Sequence, residues 1–207
     1  MLEGLPAMTN ASARVAGPAD IDRIVEILTT AFFHDPLWGP AFPDVERRAG
    51  QAAGLWRFYV TCVQRYPWTF LTAGGEATAV WLPPGGVELT GPEEAELERL
   101  LLATTGRETT DGILEIMGQF DAARPREPHY YLGLLGTHDD HRGAGHGMRL
   151  LAANLATVDA EGAAAYLESS NPANDARYAR LGFRPHGTIT AATGHVVTTM
   201  WRPPAPR

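Results

Sequence analysis

The sequence predicts an α+β domain built on a mixed, largely α/β-like sheet. Three observations carry this. Residues 129–169 read strand, helix, strand, and both strands are apolar enough to be buried on two faces, the pattern of a parallel step. Residues 68–82 and 183–201 each read as a pair of short strands broken by turn residues, hence antiparallel. Amphipathic helical runs fill the intervals, giving the order β-α-α-β-β-α-α-β-α-β-α-β-β.

Residues 1–11 read as a flexible leader, with Met8 as an alternative start, and Ser12–Ala16 as a short strand. Pro18 suits the first turn of a helix, where its missing N–H is not needed. Ile21, Ile24, Val25, Leu28 and Phe32 then fall on one helical face. Phe33–Pro43 reads as a loop. A second helix is expected over Asp44–Tyr66, with Val45, Ala49, Ala52, Trp56, Tyr59 and Val63 at alternating steps of four and three. Trp68–Ala73 and Ala77–Leu82 are strands joined through Gly74-Gly75-Glu76, and Pro83-Pro84-Gly85-Gly86 ends the second. Helices are expected over Glu93–Leu102 and Asp111–Phe120. His129–Thr137 (HYYLGLLGT) is a buried strand, Gly145–Glu161 a helix, Ala164–Ser169 a second buried strand, and Asn174–Leu181 a short helix. Phe183–Thr190 and His195–Trp201 close the sheet. No linker divides the chain, so residues 12–202 read as one domain with a flexible tail over 203–207.

Composition excludes several chemistries. All 17 basic residues are Arg, so neither a Schiff-base lysine nor a P-loop lysine exists. Cys62 is the only cysteine, which forbids an internal disulfide and suits a reducing cytoplasm. The net charge of −7 argues against a nucleic-acid partner and favours a cationic or neutral small molecule. No apolar run reaches the roughly 18–20 residues of a membrane span, and the N-terminus lacks the basic-then-apolar order of a secretory signal.

The informative stretch is His141-Arg142-Gly143-Ala144-Gly145-His146-Gly147, between a buried strand and an amphipathic helix. Glycines let the backbone turn sharply and approach a ligand. Free N–H groups and the helix dipole at such a start attract phosphate. Arg142 adds a full positive charge. The run is G-x-G-x-G rather than the dinucleotide G-x-G-x-x-G. A ligand-free turn is the bland alternative.

Arg142-x-x-Gly145-x-Gly147 resembles the acyl-CoA signature of the GNAT superfamily, Q/R-x-x-G-x-G/A. Asn174, Tyr178 and Leu181-Gly182-Phe183 resemble its closing motif. Within it, residues 127–183 look most like the puromycin N-acetyltransferase-like members. The resemblance covers about a quarter of the chain. Thr137, Asp139 and His146 stand where Val, Pro and an apolar residue are usual, and none removes a group that the chemistry needs.

The resemblance implies a GNAT acyl-CoA N-acyltransferase fold of about seven strands, splayed between the strands at 129–137 and 164–169. Acetyl-CoA is the implied cosubstrate, bound by Leu135, Gly136 and Thr137 along the pantetheine arm. Arg142, Gly143, Ala144, Gly145, His146 and Gly147 hold the pyrophosphate, and Asn174 either touches the cofactor or caps a helix. Acetyl transfer requires removing a proton from an ammonium, stabilising an oxyanion and releasing a thiolate. Tyr178 is the candidate acid; packing is its alternative. Glu168, a carboxylate at the end of a buried strand, is the candidate base; a structural ion pair with an Arg is its alternative. A backbone N–H of Leu135 or Gly136 is the candidate oxyanion donor. Arg177 and Arg180 either reach phosphates or solvate a helix face.

The aromatic cluster including Phe33, His34 and Trp38 is either core or the wall of an acceptor site for a flat or apolar amine. His138-Asp139-Asp140-His141 contains metal-ligand types, but adjacent turn residues rarely converge on one ion, and no metal is expected. The expected partner is a small-molecule amine, an antibiotic or aminonucleoside among the options, with no nucleic acid and no membrane, and a homodimer as a possible assembly. A protein or peptide N-acetyltransferase and a non-catalytic CoA-binding module are the alternatives; the second would be marked by loss of Glu168 and Tyr178, and both are present.

Overall fold

A computed structural model describes residues 13–205. The expected leader at 1–11, the alternative start at Met8 and the last two tail residues lie outside the described residues.

Seven strands form one sheet: β1 (Ala13–Val15), β2 (Thr69–Thr72), β3 (Ala77–Leu82), β4 (His129–Thr137), β5 (Ala164–Ser169), β6 (Arg184–Thr190) and β7 (Val196–Arg202). Their order is β1-β2-β3-β4-β5-β7-β6. Every pair is antiparallel except β4 with β5, the step expected from the two buried runs. The helices are α1 (Ile21–Phe32), α2 (Trp38–Ala41), α3 (Arg48–Val63), α4 (Gly91–Thr105), α5 (Arg107–Ala123), α6 (His146–Ala160) and α7 (Asp175–Ala179). Among the described residues no helix is long and apolar enough to cross a membrane.

The sheet is covered on both faces. One core joins Ile24, Ile27 and Leu28 of α1 and Trp56 and Val60 of α3 to Leu82, Tyr131 and Tyr166 of the sheet. The other sets Leu150, Leu151, Leu155 and Val158 of α6 against Trp81, Leu132, Leu167 and Met200. Trp81 Nε1 also donates to Asn154 Oδ1 at 3.1 Å in the interior, tying α6 to β3. A buried polar bond of that kind fixes the helix along the sheet as well as against it.

Four elements differ from the sequence reading. The loop 33–43 contains α2, because Asp35 Oδ1 accepts from the amides of Leu37 (2.9 Å) and Trp38 (3.1 Å) and starts a turn. The second helix begins at Arg48, which leaves Val45 outside it; Val45 and Ala49 are exposed, whereas Ala52, Trp56, Tyr59 and Val63 face the core. The helices expected at 93–102 and 111–120 are longer at both ends. A Thr90–Glu93 capping box starts α4, and Gly106, at φ 83°, turns the chain between α4 and α5.

The feature that makes a site is a split in the sheet. β4 and β5 hold register from His129↔Ala164 to Leu132↔Leu167 and no further. Beyond that, β4 runs on to Thr137 paired with β3 alone. The divergence starts at a bulge: Val80 pairs with Leu134 and Trp81 with Leu132, leaving Gly133 unopposed. A bulge bends its strand and increases its twist. Only glycine fits there, since a Cβ would lie 2.7 Å from Tyr59 Oη.

Candidate active site

A cleft of about 470 Å³ opens where β4 leaves β5. Leu132, Gly133, Leu135 and Thr137 line it from β4, and Leu167 and Glu168 from β5. The edge of β4 facing this gap has no ladder partner past Leu132, so its backbone groups there are free to bind a ligand.

The glycine-rich turn closes one end. Gly143 (φ 82°) and Gly145 (φ 77°) adopt left-handed conformations that disfavour other residues. Gly145 precedes α6, whose first-turn amides have no acceptor within the helix. Gly147 brings the helix close to β4: a Cβ there would stand 2.7 Å from Thr137 Oγ1. The Arg142 Nη2 group donates to the carbonyls of Thr30 (2.9 Å) and Ala31 (3.1 Å), so its charge sits at the C-terminal end of α1 as well as on the cleft wall. Arg149, which the sequence reading passed over, folds back to donate to Ala144 O at 2.6 Å and adds a second cation at the turn.

Glu168 is half-buried. Burial raises its pKa to about 7, opposed by the Tyr131 and Tyr166 hydroxyls and the Arg124 guanidinium and reinforced by Glu88. Its Oε1 is sealed from solvent with no hydrogen-bond partner at good geometry. Among the described residues no Arg forms an ion pair with Glu168: Arg124, whose charge reaches it, pairs with Glu88 at 2.7 Å and with Asp121 at 3.7 Å. Tyr178 lines the same cleft. Burial first, then Asp35 and Asp175, push its hydroxyl up to about 12, while Arg177 pulls it down.

Most of the other residues singled out from sequence meet here. Leu135, Thr137, Arg142, Gly143, Gly145, His146, Gly147, Asn174, His34 and Trp38 all line the cleft. Three side-chain positions do not. Gly136 lies under α1, where a Cβ would touch Ala31 Cβ and Leu28 Cδ2 at 3.2 Å. Ala144 is exposed on the outside of the turn. The Phe33 ring instead lies under the Arg48 guanidinium, 5.3 Å from its centroid. Asn174 occupies the position before α7 without capping it; its Oδ1 accepts from Arg177 Nη1 at 2.9 Å, and Arg177 also lines the cleft whereas Arg180 is exposed.

Asp35 and Ser170 were not singled out from sequence. The Ser170 hydroxyl donates to Asp35 Oδ2 at 2.7 Å, tying the aromatic loop after α1 to the end of β5. A bond between residues 135 positions apart leaves no local signal. In the turn 138–140, His138, Asp139 and Asp140 each bring a ligand-type atom within 4.8 Å of the others, closer than adjacent turn residues were expected to come, with both carboxylates exposed. They converge because a short helical turn over Asp139–His141 folds the two carboxylates back toward His138 Nδ1.

Residues 93–183 match the model of the acetyltransferase (GNAT) family. Among solved structures, a Corynebacterium glutamicum protein described as histone acetyltransferase HPA2 and related acetyltransferase is similar at 26% identity and a TM-score of 0.70, over 95% of this chain and 97% of that one. Arylalkylamine N-acetyltransferase 2 from Aedes aegypti is similar at 15% identity and a TM-score of 0.67, over 92% and 97%. The polyamine N-acetyltransferase of Drosophila melanogaster is similar at 16% identity and a TM-score of 0.62, over 92% and 98%. At those two identities the likeness is one of fold.

Proposed function

We propose that this chain, which carries a GNAT-family domain and is an acetyl-CoA-dependent N-acetyltransferase, acetylates a primary amine of a small molecule by direct attack in the split between β4 and β5. The observation that carries the reading is Glu168: a sealed, unpartnered carboxylate oxygen, on a group brought to about pH 7, in the same cleft as Tyr178 and the glycine-rich helix start. A base poised near the working pH is what proton removal from an ammonium needs.

The residues suit acetyl-CoA. The left-handed Gly145 and the unpaired amides of α6 offer donors and dipole to a pyrophosphate, Arg149 adds charge, and the free edge of β4 offers hydrogen bonds to an amide-bearing arm. Glu168 takes the proton from the incoming ammonium, directly or through water. Backbone N–H groups on the free edge of β4 stabilise the developing oxyanion. The Tyr178 hydroxyl donates to the departing sulfur. Residues 12–202 act as one catalytic domain. A reducing cytoplasm suits the lone thiol of Cys62, whose pKa burial and Glu93 raise to about 11.

The test is thiol release from acetyl-CoA with a panel of primary amines, aminonucleosides and amine-bearing antibiotics included, with the product mass read in parallel. Acetylated amine and free thiol in equal amounts are expected. Thiol release without an acetylated amine, or none with any amine, would refute the reading.

A further inference from the structure

Beside the split, the face of the sheet that carries Glu168 holds further ionisable groups. Tyr166 and Glu168 are two apart on β5 and share that face, and Tyr131 of β4 is paired with Tyr166, their ring centroids 6.1 Å apart. Tyr59 of α3 reaches over the bulge: a Cβ on Gly133 would meet Tyr59 Oη at 2.7 Å and Tyr131 Cε1 at 3.6 Å. Behind these phenols stand Glu88 and Arg124. Both Glu88 oxygens are engaged, Oε1 accepting from Tyr59 Oη at 2.6 Å and Oε2 from Arg124 Nη2 at 2.7 Å. The Arg124 guanidinium lies over the Tyr131 ring, 4.0 Å from its centroid. Asp121 also pairs with Arg124, but at 3.7 Å and from solvent, whereas Glu88 and Arg124 are both largely buried. His129 stands at the start of β4 with its ring 5.5 Å from Tyr166 and its Nδ1 2.6 Å from Glu127 O.

We propose that Glu88 and Arg124 are positioning residues for acetyl transfer: Arg124 holds Tyr131 against Glu168, and Glu88 balances the Arg124 charge so that Glu168 can still take up a proton. The inference rests on Glu168 being the base and says what keeps it one. The Tyr131 and Tyr166 hydroxyls and the Arg124 guanidinium all favour the carboxylate, while burial and Glu88 oppose them. A guanidinium left unbalanced in an interior of low dielectric would hold Glu168 as a carboxylate too weakly basic to take a proton from an ammonium. Glu88 without Arg124 would do the reverse and keep Glu168 protonated, hence idle, at neutral pH.

The experiment follows the rising limb of kcat/KM against pH in Glu88→Gln, Arg124→Gln and the double variant, beside the wild type and with two acceptors of different amine pKa. Glu88→Gln keeps the shape and an acceptor for Tyr59 but drops the charge. Its limb should move to lower pH by on the order of one unit, the scale of one charge acting through a protein interior. Its plateau should also be lower, because a weaker base accepts the proton less readily. Arg124→Gln should move the limb to higher pH, and the double variant should return toward the wild-type position. None of the changes should move the acetyl-CoA KM, which also reports that the variants are folded. If Arg124→Gln does not fold, the direction of the limb in Glu88→Gln decides alone. A purely structural pair would lower kcat/KM at every pH and leave the limb in place. That result, or a limb displaced upward in Glu88→Gln, overturns this inference alone. A wild-type limb that moves with the acceptor overturns the reading of Glu168 as the base, and this inference with it.

Discussion

A carboxylate that ionises near pH 7 inside a protein costs the fold stability once it is charged. Glu168 stands at about 7 against an ordinary 4.5, chiefly through burial. Below pH 4.5 it is protonated in both folded and unfolded chains and contributes nothing. As pH rises from 4.5 to 7 the unfolded chain releases its proton first, so stability falls, and above 7 the full penalty is present. The shift sets that penalty at up to about 3 kcal/mol. Glu168→Gln should therefore unfold at a higher temperature than the wild type at pH 8, with the difference shrinking toward pH 5. A variant less stable than the wild type at pH 8 would contradict the environment described for Glu168. Tyr178, at about 12, is fully protonated at neutral pH and can donate to sulfur, yet complete transfer to a thiolate of ordinary pKa near 8.5 runs uphill. Tyr178→Phe should thus lower kcat on the order of 10²-fold, the low end for general acids, with little change in the acetyl-CoA KM. An unchanged kcat would remove Tyr178 from the mechanism. That these two residues share one cleft was legible because strand 164–169 reads apolar up to Glu168 and because the spacing from Tyr178 to Phe183 matches a family motif. Their pKa values were not, since these depend on Arg124, Glu88, Asp35 and Asp175, which come together only in the fold.

At the scale of elements, the start of α6 carries the cofactor argument. Gly145 is left-handed, and a Cβ there would meet only the mobile end of Arg149, at 3.0 Å. Asn and Asp both tolerate that backbone better than other residues, so Gly145→Asn and Gly145→Asp separate shape from charge. The Asp variant should bind acetyl-CoA at least about tenfold more weakly than the Asn variant, because a carboxylate opposes both the pyrophosphate and the helix dipole. Equal affinities by calorimetry would move the phosphate site elsewhere. Continuous apolar runs and glycine punctuation made β4, α6 and β5 readable almost to the residue. Loop 33–43 was not, because the helix there depends on one carboxylate, Asp35, accepting from two amides. Val45 continued a helical spacing ahead of the true start of α3, where apolar periodicity alone carries no stop signal.

Across the whole molecule, the site exists because a sheet comes apart. Gly133 bulges out of β4, pairing with β5 ends at Leu132↔Leu167, and helices on both faces hold the two halves in place. The class of fold followed from two buried strands flanking one helix, and the location of the split was what the resemblance carried by Arg142, Gly145 and Gly147 implied. The ties that shape the cleft did not: Asp35 to Ser170 and Glu88 to Arg124 span 135 and 36 positions, and neither leaves a periodic trace. The central claim is that this split places a base, Glu168, against an incoming amine. The most direct test is the pH dependence of kcat/KM for the wild type and Glu168→Gln, each with two acceptors of different amine pKa. The account predicts a rising limb near pH 7 in the wild type that is the same for both acceptors and absent from the Gln variant. A limb that moves with the acceptor and persists in the Gln variant would contradict it, leaving Glu168 as no more than an anchor for the cationic substrate.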